Sequence, residues 1–148
     1  RDRFADDLRA AIHCLEQRSS KNTGLNLTVA LDYGGRQDIA SAAFVIAKEI
    51  EAGMLTADDV NDDLLKSRMS TKILPPVDLL IRTGGEKRLS NFLLWDLSYA
   101  ELFFSDKFWP DFTHSDLFDA IKSFQGRQRR FGGDHFDTDQ SLRVVVSD

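Results

Sequence analysis

Two arginines and a serine, set around a pair of glycines, are the residues of this chain best suited to chemistry. Arg82 and Arg88 flank Gly84-Gly85, and Ser90 follows two residues after Arg88. Guanidinium forks match phosphate oxygens two at a time, and exposed N–H groups at a helix start add a partial positive charge. That donor set predicts a phosphate or diphosphate ligand. The competing reading is that loop arginines sit in solvent or pair with a carboxylate, and Glu86 stands between them. The loop is not a Walker A motif, because the lysine and hydroxyl that should follow the last glycine are missing. It is not the dinucleotide fingerprint either.

The elements around this loop must place it. Residues 77–81 are an apolar run that reads as a short buried strand. The glycines break it, and Ser90 is an N-cap candidate for a helical segment over residues 91–97. Ligands of open α/β sheets sit outside the carboxyl ends of the strands, where such a loop lies. Upstream the device recurs. Residues 25–31 are β-rich and partly alternating, Asp32-Tyr33-Gly34-Gly35-Arg36 makes a turn, and a helix follows over residues 37–52. Ile39, Ala43, Ile46 and Ile50 form its apolar face, and Gly53 closes it. Gly34-Gly35 fits a tight turn without a ligand equally well. Two strand–turn–helix units predict an α/β fold with a mostly parallel central sheet flanked by helices.

The remaining segments set limits. At 148 residues, 42% hydrophobic and 29% charged, the chain suits one domain with a modest core. A net charge of -5 argues against a general nucleic-acid binder. The single Cys14 excludes an internal disulfide and suits a reducing cytoplasm. No apolar run approaches the length needed to span a bilayer. Residues 1–17 read as an amphipathic helix with Phe4, Leu8, Ala11, Ile12 and Leu15 at helical spacing; the neighbours His13 and Cys14 face different ways. The chain opens at Arg1 without a methionine, inside that pattern, which predicts a fragment whose N-terminal part is missing.

Asp58-Asp59-Val60-Asn61-Asp62 spells a carboxylate box that would suit Mg²⁺ bridged to a diphosphate, but Thr56 as N-cap with acidic residues in the first turn explains it better. Residues 64–69 finish a short helix, and Pro75-Pro76 keeps the chain extended. Residues 102–104 predict a brief strand. Thr113 or Ser115 caps a helix carrying Leu117, Phe118, Ile121 and Phe124, with His114 structural beside the cap. Arg127, Arg129 and Arg130 follow at its basic end, as a helix dipole favours. Residues 134–148 predict a loose tail in which residues 144–146 can pair at a sheet edge.

The run Ile81-Arg82-Thr83-Gly84-Gly85-Glu86-Lys87-Arg88-Leu89-Ser90-Asn91-Phe92-Leu93-Leu94-Trp95, with Tyr99-Ala100-Glu101-Leu102 and Trp109-Pro110-Asp111-Phe112, resembles the signature of the cis-prenyltransferases. Residues 30–36 and 127–133 agree. The likeness covers roughly residues 4–133, so residues 1–133 are expected to be the C-terminal portion of a single cis-prenyltransferase domain. It implies condensation of isopentenyl diphosphate with an allylic diphosphate such as farnesyl diphosphate, giving a cis-polyprenyl diphosphate of the undecaprenyl carrier-lipid type. Negative charge builds on the departing diphosphate, so cations placed there lower the barrier. Carried over position by position, Arg82, Arg88 and Ser90 resemble the residues that hold isopentenyl diphosphate, with Leu89 contributing its backbone. Glu101 resembles the Mg²⁺ carboxylate. Arg130 and Gly132 resemble a tail that reaches the partner's site across a homodimer. The product's chain would need an apolar tunnel, which the 11 Phe can line as readily as any core, and would bring peripheral contact with a membrane.

The departures are as informative. The family's catalytic aspartate lies in an upstream Asp-Gly-Asn-Gly-Arg loop, and no Asp-Gly-Asn-Gly occurs here. No catalytic residue is therefore expected in these residues, and they alone should turn over little or no substrate. Asp32 also stands where the family pattern has Asn. Two other functions fit the same residues: a non-catalytic subunit of a two-subunit cis-prenyltransferase, and a diphosphate-binding module without turnover.

Overall fold

The computed structural model describes residues 4–127 and the backbone strand 144–147. The chain divides into two compact units, Arg1–Tyr33 and Gly34–Asp148, each described by itself. In the first, helix α1 (Asp6–Ser19) carries Asp6 and Asp7 in its first turn, where they complement the helix dipole. None of its residues is buried. His13 bonds Gln17 one turn on at 2.9 Å, an ordinary helix-surface contact. Residues 25–31 form no strand, contrary to their β-rich pattern. Leu25 and Leu27 are 92% and 81% exposed. Alternation specifies the faces of a strand but not its neighbour, and without a ladder partner an extended segment has no strand to join. Asp32 turns left-handed (φ 52°), a region that Asp and Asn visit more readily than other side chains. Exchanging one for the other therefore keeps the backbone option.

The second unit is built on a three-stranded sheet in the order β2-β1-β3, with β1 Leu79–Arg82, β2 Glu101–Phe104 and β3 Val144–Ser147. Both pairings are parallel, Leu79 opposing Glu101 on one side and Val144 on the other. All four residues of β1 are buried, as a central parallel strand covered on both faces should be. The chain is thus an α/β protein with a parallel sheet. The edge pairing foreseen for residues 144–146 is realised in β3.

Leu79 and Ile81 point to one side of β1 and pack with Ala120 of helix α4 (His114–Gln125), together with Phe103, Phe112, Leu117 and Phe124. By the period of two, Leu80 and Arg82 point to the other side. Helix α2 (Gly35–Glu51) buries Gly35, Ala42 and Ile46, so Ala42 and not Ala43 faces inward. Helix α3 (Asp62–Arg68) packs on α2 and is tied to it. Arg68 Nε reaches both carboxylate oxygens of Glu49 at 3.0 Å, and the Ser70 N–H donates to Asp38 at 2.8 Å.

Two capping boxes start helical turns where the sequence places them. Thr56 receives the box from Asp59, so this carboxylate is engaged in capping. The Thr56 N–H, then its hydroxyl, hold Asp59 below its usual pKa. Thr113, and not Ser115, caps α4 with Asp116 as its partner. Lys107, bonding both Asp116 oxygens at 2.7 and 2.9 Å, and then Thr113 hold that carboxyl well below the usual carboxylate range. Among the described residues, no helix is long and apolar enough to cross a membrane.

Candidate functional site

The site lies in the connection from β1 to β2. Parallel neighbours cannot be joined by a hairpin, so residues 83–100 must travel back over the sheet to start β2. Gly84 and Gly85 open that path with φ of 85° and 78°, a backbone that glycine adopts without strain. Their N–H groups are engaged within the chain. Gly84 donates to the Lys107 carbonyl at 2.7 Å and Gly85 to the Ser105 carbonyl at 2.9 Å, which fastens the bend to the chain leaving β2.

The helix foreseen over residues 91–97 is replaced by a series of turns. Ser90, Asn91 and Leu93 all have positive φ (46°, 68° and 40°), incompatible with a right-handed helix. Ser90 is accordingly not an N-cap, and no helix dipole adds to the cradle here. Tertiary bonds override the local preference. The Asn91 carbonyl accepts from the Gly35 N–H at 2.7 Å, and its side-chain oxygen accepts from the Arg36 N–H at 2.8 Å. The amino end of α2 is capped by this loop. Farther along, Lys66 holds the buried Asp96 in an ion pair and donates to the Thr71 carbonyl at 2.8 Å.

Within this frame Arg82 and Ser90 come together. Arg82 is 7% exposed at the carboxyl end of β1. Its Nη1 donates to Ser90 Oγ at 2.9 Å and to the Arg88 carbonyl. Its Nε is buried with no hydrogen-bond partner, and no carboxylate among the described residues forms an ion pair with it. An uncompensated buried charge is costly, so such a guanidinium is suited to an anion. Arg88 approaches through its backbone, while its side chain turns outward to an exposed pair with Glu86. Such pairs contribute about 0–1 kcal/mol, so a better anion can displace Glu86 at little cost. Leu89 is half-buried, and its carbonyl accepts from the Phe92 N–H at 3.0 Å.

Glu101 is set apart from these residues. It opens β2 opposite Leu79, at the amino end of the strands, while Arg82 lies at the carboxyl end opposite Phe104. Three residues of strand separate the two levels, about 10 Å. Arg127 bonds the Glu101 carboxylate at 2.5 Å. No group of three or more His, Cys, Asp or Glu that could hold a metal ion occurs among the described residues. Those residues do not by themselves make an Mg²⁺ site. Arg130 and Gly132 lie outside the described residues. Sequence reasoning missed Asn91, whose signal was available: an Asn beside a Ser, where left-handed backbone favours Asn.

Arg82 and Ser90 thus lie together beyond the central strand of a parallel α/β sheet, and the comparisons say which family shares this arrangement of sequence and fold. The profile of the prenyltransferase family described as "Putative undecaprenyl diphosphate synthase" matches residues 1–132. Over 132 residues the chain is 52% identical to the ditrans,polycis-undecaprenyl-diphosphate synthase ((2E,6E)-farnesyl-diphosphate specific) of Pseudomonas syringae pv. tomato, covering 89% of this chain and 53% of that protein. It is 50% identical over 128 residues to the isoprenyl transferase of Geobacillus kaustophilus, covering 86% and 50%. The crystal structure of lavandulyl diphosphate synthase from Lavandula x intermedia, in complex with dimethylallyl diphosphate, matches with a TM-score of 0.85 at 42% identity, over 88% of this chain and 56% of that one. The chain belongs to the cis-prenyltransferase family, that of the undecaprenyl diphosphate synthases. It spans about half the length of the curated relatives it matches.

Proposed function

We propose that the loop beyond β1 binds the diphosphate of isopentenyl diphosphate, and that the chain is the corresponding half of an enzyme adding that unit to an allylic diphosphate such as farnesyl diphosphate. The observation that carries the reading is the Arg82 guanidinium, buried, without a carboxylate partner among the described residues, and bonded to Ser90. Arg82 holds the diphosphate from within, Ser90 Oγ adds a rotatable donor, and Arg88 swings from Glu86 to close over the outer oxygens. The Leu89 backbone lies between the last two. Holding isopentenyl diphosphate by its charged end leaves its double bond free to attack the allylic carbon. The activity for which the bacterial relatives are named supports an undecaprenyl-type product and farnesyl diphosphate as co-substrate.

Mg²⁺ dependence is part of the same proposal, with Glu101 contributing one carboxylate once released from Arg127; further ligands must come from outside the described residues. The homodimer reaching the partner's site through Arg130 and Gly132, the cytoplasmic location and the membrane contact through the product are proposed on family grounds. Because no Asp-Gly-Asn-Gly loop is present, the chain alone is expected to bind isopentenyl diphosphate yet turn over little or none.

Calorimetric titration of the chain with isopentenyl diphosphate tests the binding half. Arg82→Ala should lower the affinity about a hundredfold, the scale of one lost charge contact at such a site. Unchanged affinity in Arg82→Ala would remove the proposal. Turnover by the purified chain with both substrates and Mg²⁺ would refute the expectation of inactivity.

A further inference from the structure

We propose that Asn91 is a positioning residue: by clamping the strained turn after Ser90 to the amino end of α2, it aims the Ser90 hydroxyl at Arg82. The idea rests on the diphosphate reading above for its ligand measurement only, since the geometry it explains is independent of any ligand.

Left-handed backbone costs a residue with a side chain on the order of 1–2 kcal/mol, and Ser90, Asn91 and Leu93 all adopt it within four positions. Strain of that kind persists only where the surroundings over-determine it. Asn91 supplies the restraint through three bonds. Its carbonyl takes the Gly35 N–H, its Oδ1 takes the Arg36 N–H, and its Nδ2 donates to Gln37 Oε1 at 2.9 Å. The side chain must therefore both accept and donate while its backbone is left-handed, which is the natural profile of asparagine. The helix start is shaped to receive it. A Cβ on Gly35 would meet Leu94 N and Cγ at 3.0 Å and Asn91 O at 3.1 Å, and one on Gly34 would meet Asn91 Nδ2 at 2.8 Å. Buried Leu93 and Leu97 anchor the far side of the turn.

Two consequences follow from this geometry. First, Gly34-Gly35 is the socket for Asn91 and not a second anion loop. Second, two N–H groups at the start of α2, which would otherwise attract an anion, are already engaged. The diphosphate is left to the Arg82–Ser90 pair.

The test uses the full chain. Asn91→Gly keeps the left-handed backbone but deletes both side-chain bonds. Gly35→Ala keeps Asn91 but pushes its carbonyl and Leu94 away from the helix. Two readouts are taken below each variant's melting temperature: the Nε–H resonance of Arg82, and the affinity for inorganic pyrophosphate. Both variants should shift the Arg82 resonance and weaken pyrophosphate about tenfold, the scale of one or two lost hydrogen bonds. If either fails to fold, Gln37→Ala, which removes only the Nδ2 bond, should give the same shifts at about threefold. Lower melting temperatures with an unmoved Arg82 resonance and unchanged affinity would overturn the proposal, leaving Asn91 a purely structural cap. If the unaltered chain does not bind pyrophosphate, the diphosphate reading fails, and the Arg82 resonance alone decides: a shift sustains the positioning role and no shift overturns it.

Discussion

The two Gly-Gly bends look alike in the sequence and do different work. At Gly84-Gly85 both residues have strongly positive φ, while a Cβ on either would find no atom closer than 3.7 Å. That pair is there for conformation. At Gly34-Gly35 the backbone is ordinary, with Gly34 extended at φ -150°, but a Cβ on Gly35 would press on backbone atoms of the 91–94 turn, and one on Gly34 on the side chains of Gln37 and Asn91. That pair is there for space. The first bend turns the chain beyond β1 and the second lets the 91–94 turn approach α2, so the same dipeptide occurs twice for two unrelated physical reasons.

Arg82→Ala is the heaviest perturbation of this arrangement. It removes the guanidinium that would hold the diphosphate, with the roughly hundredfold loss of affinity given above. Urea unfolding should move little, because the two lost hydrogen bonds are offset by the loss of an uncompensated buried charge. Gly35→Ala comes next, at about 2 kcal/mol, because backbone atoms of the 91–94 turn must shift. Gly84→Ala should cost about 1 kcal/mol, from its left-handed backbone alone. The decisive comparison is with asparagine, which tolerates positive φ but is larger than alanine. Gly84→Asn should unfold at a higher urea concentration than Gly84→Ala, and Gly35→Asn at a lower one than Gly35→Ala. The same order at both sites would erase the distinction between conformation and space.

The smallest effect expected lies away from both bends, at the α4 cap. Asp116 is depressed in the folded chain, so its contribution is present above its unfolded value of 3.8 and is lost as the pH falls below that toward the folded value. Asp116→Asn should therefore lower the melting temperature near neutral pH and converge with the unaltered chain in acid. A constant difference across that range would assign the cap's effect to hydrogen bonding without charge.

Helices and caps were legible because their signals are local. Thr56 and Thr113 with their acidic partners, the stop at Gly53 and the apolar run at β1 all act within a turn or two of sequence. Two segments were misread for one reason. Residues 25–31 have the pattern of a strand but join no ladder, and residues 91–97 have helix-compatible composition but are bent left-handed by bonds to α2. Both outcomes depend on partners distant in sequence, which periodicity does not encode. The site was legible to the same extent. Residue type and spacing grouped Arg82, Arg88 and Ser90 around one bend, whereas the bond from Arg82 to Ser90, the outward turn of Arg88 and the bonds of Asn91 required the fold.

The sheet order has a bearing on how the protein comes to be made. β1 receives one neighbour soon after it is synthesised, but the strand on its other side comes from residues 144–147, far down the chain. In a chain made of these residues alone, that edge of β1, the strand buried along its whole length, therefore stays an open row of backbone donors and acceptors until residues 144–147 have been made. A stop codon placed before residue 144 would make that transient condition permanent, and would endanger the chain through aggregation even though every cradle residue had been encoded.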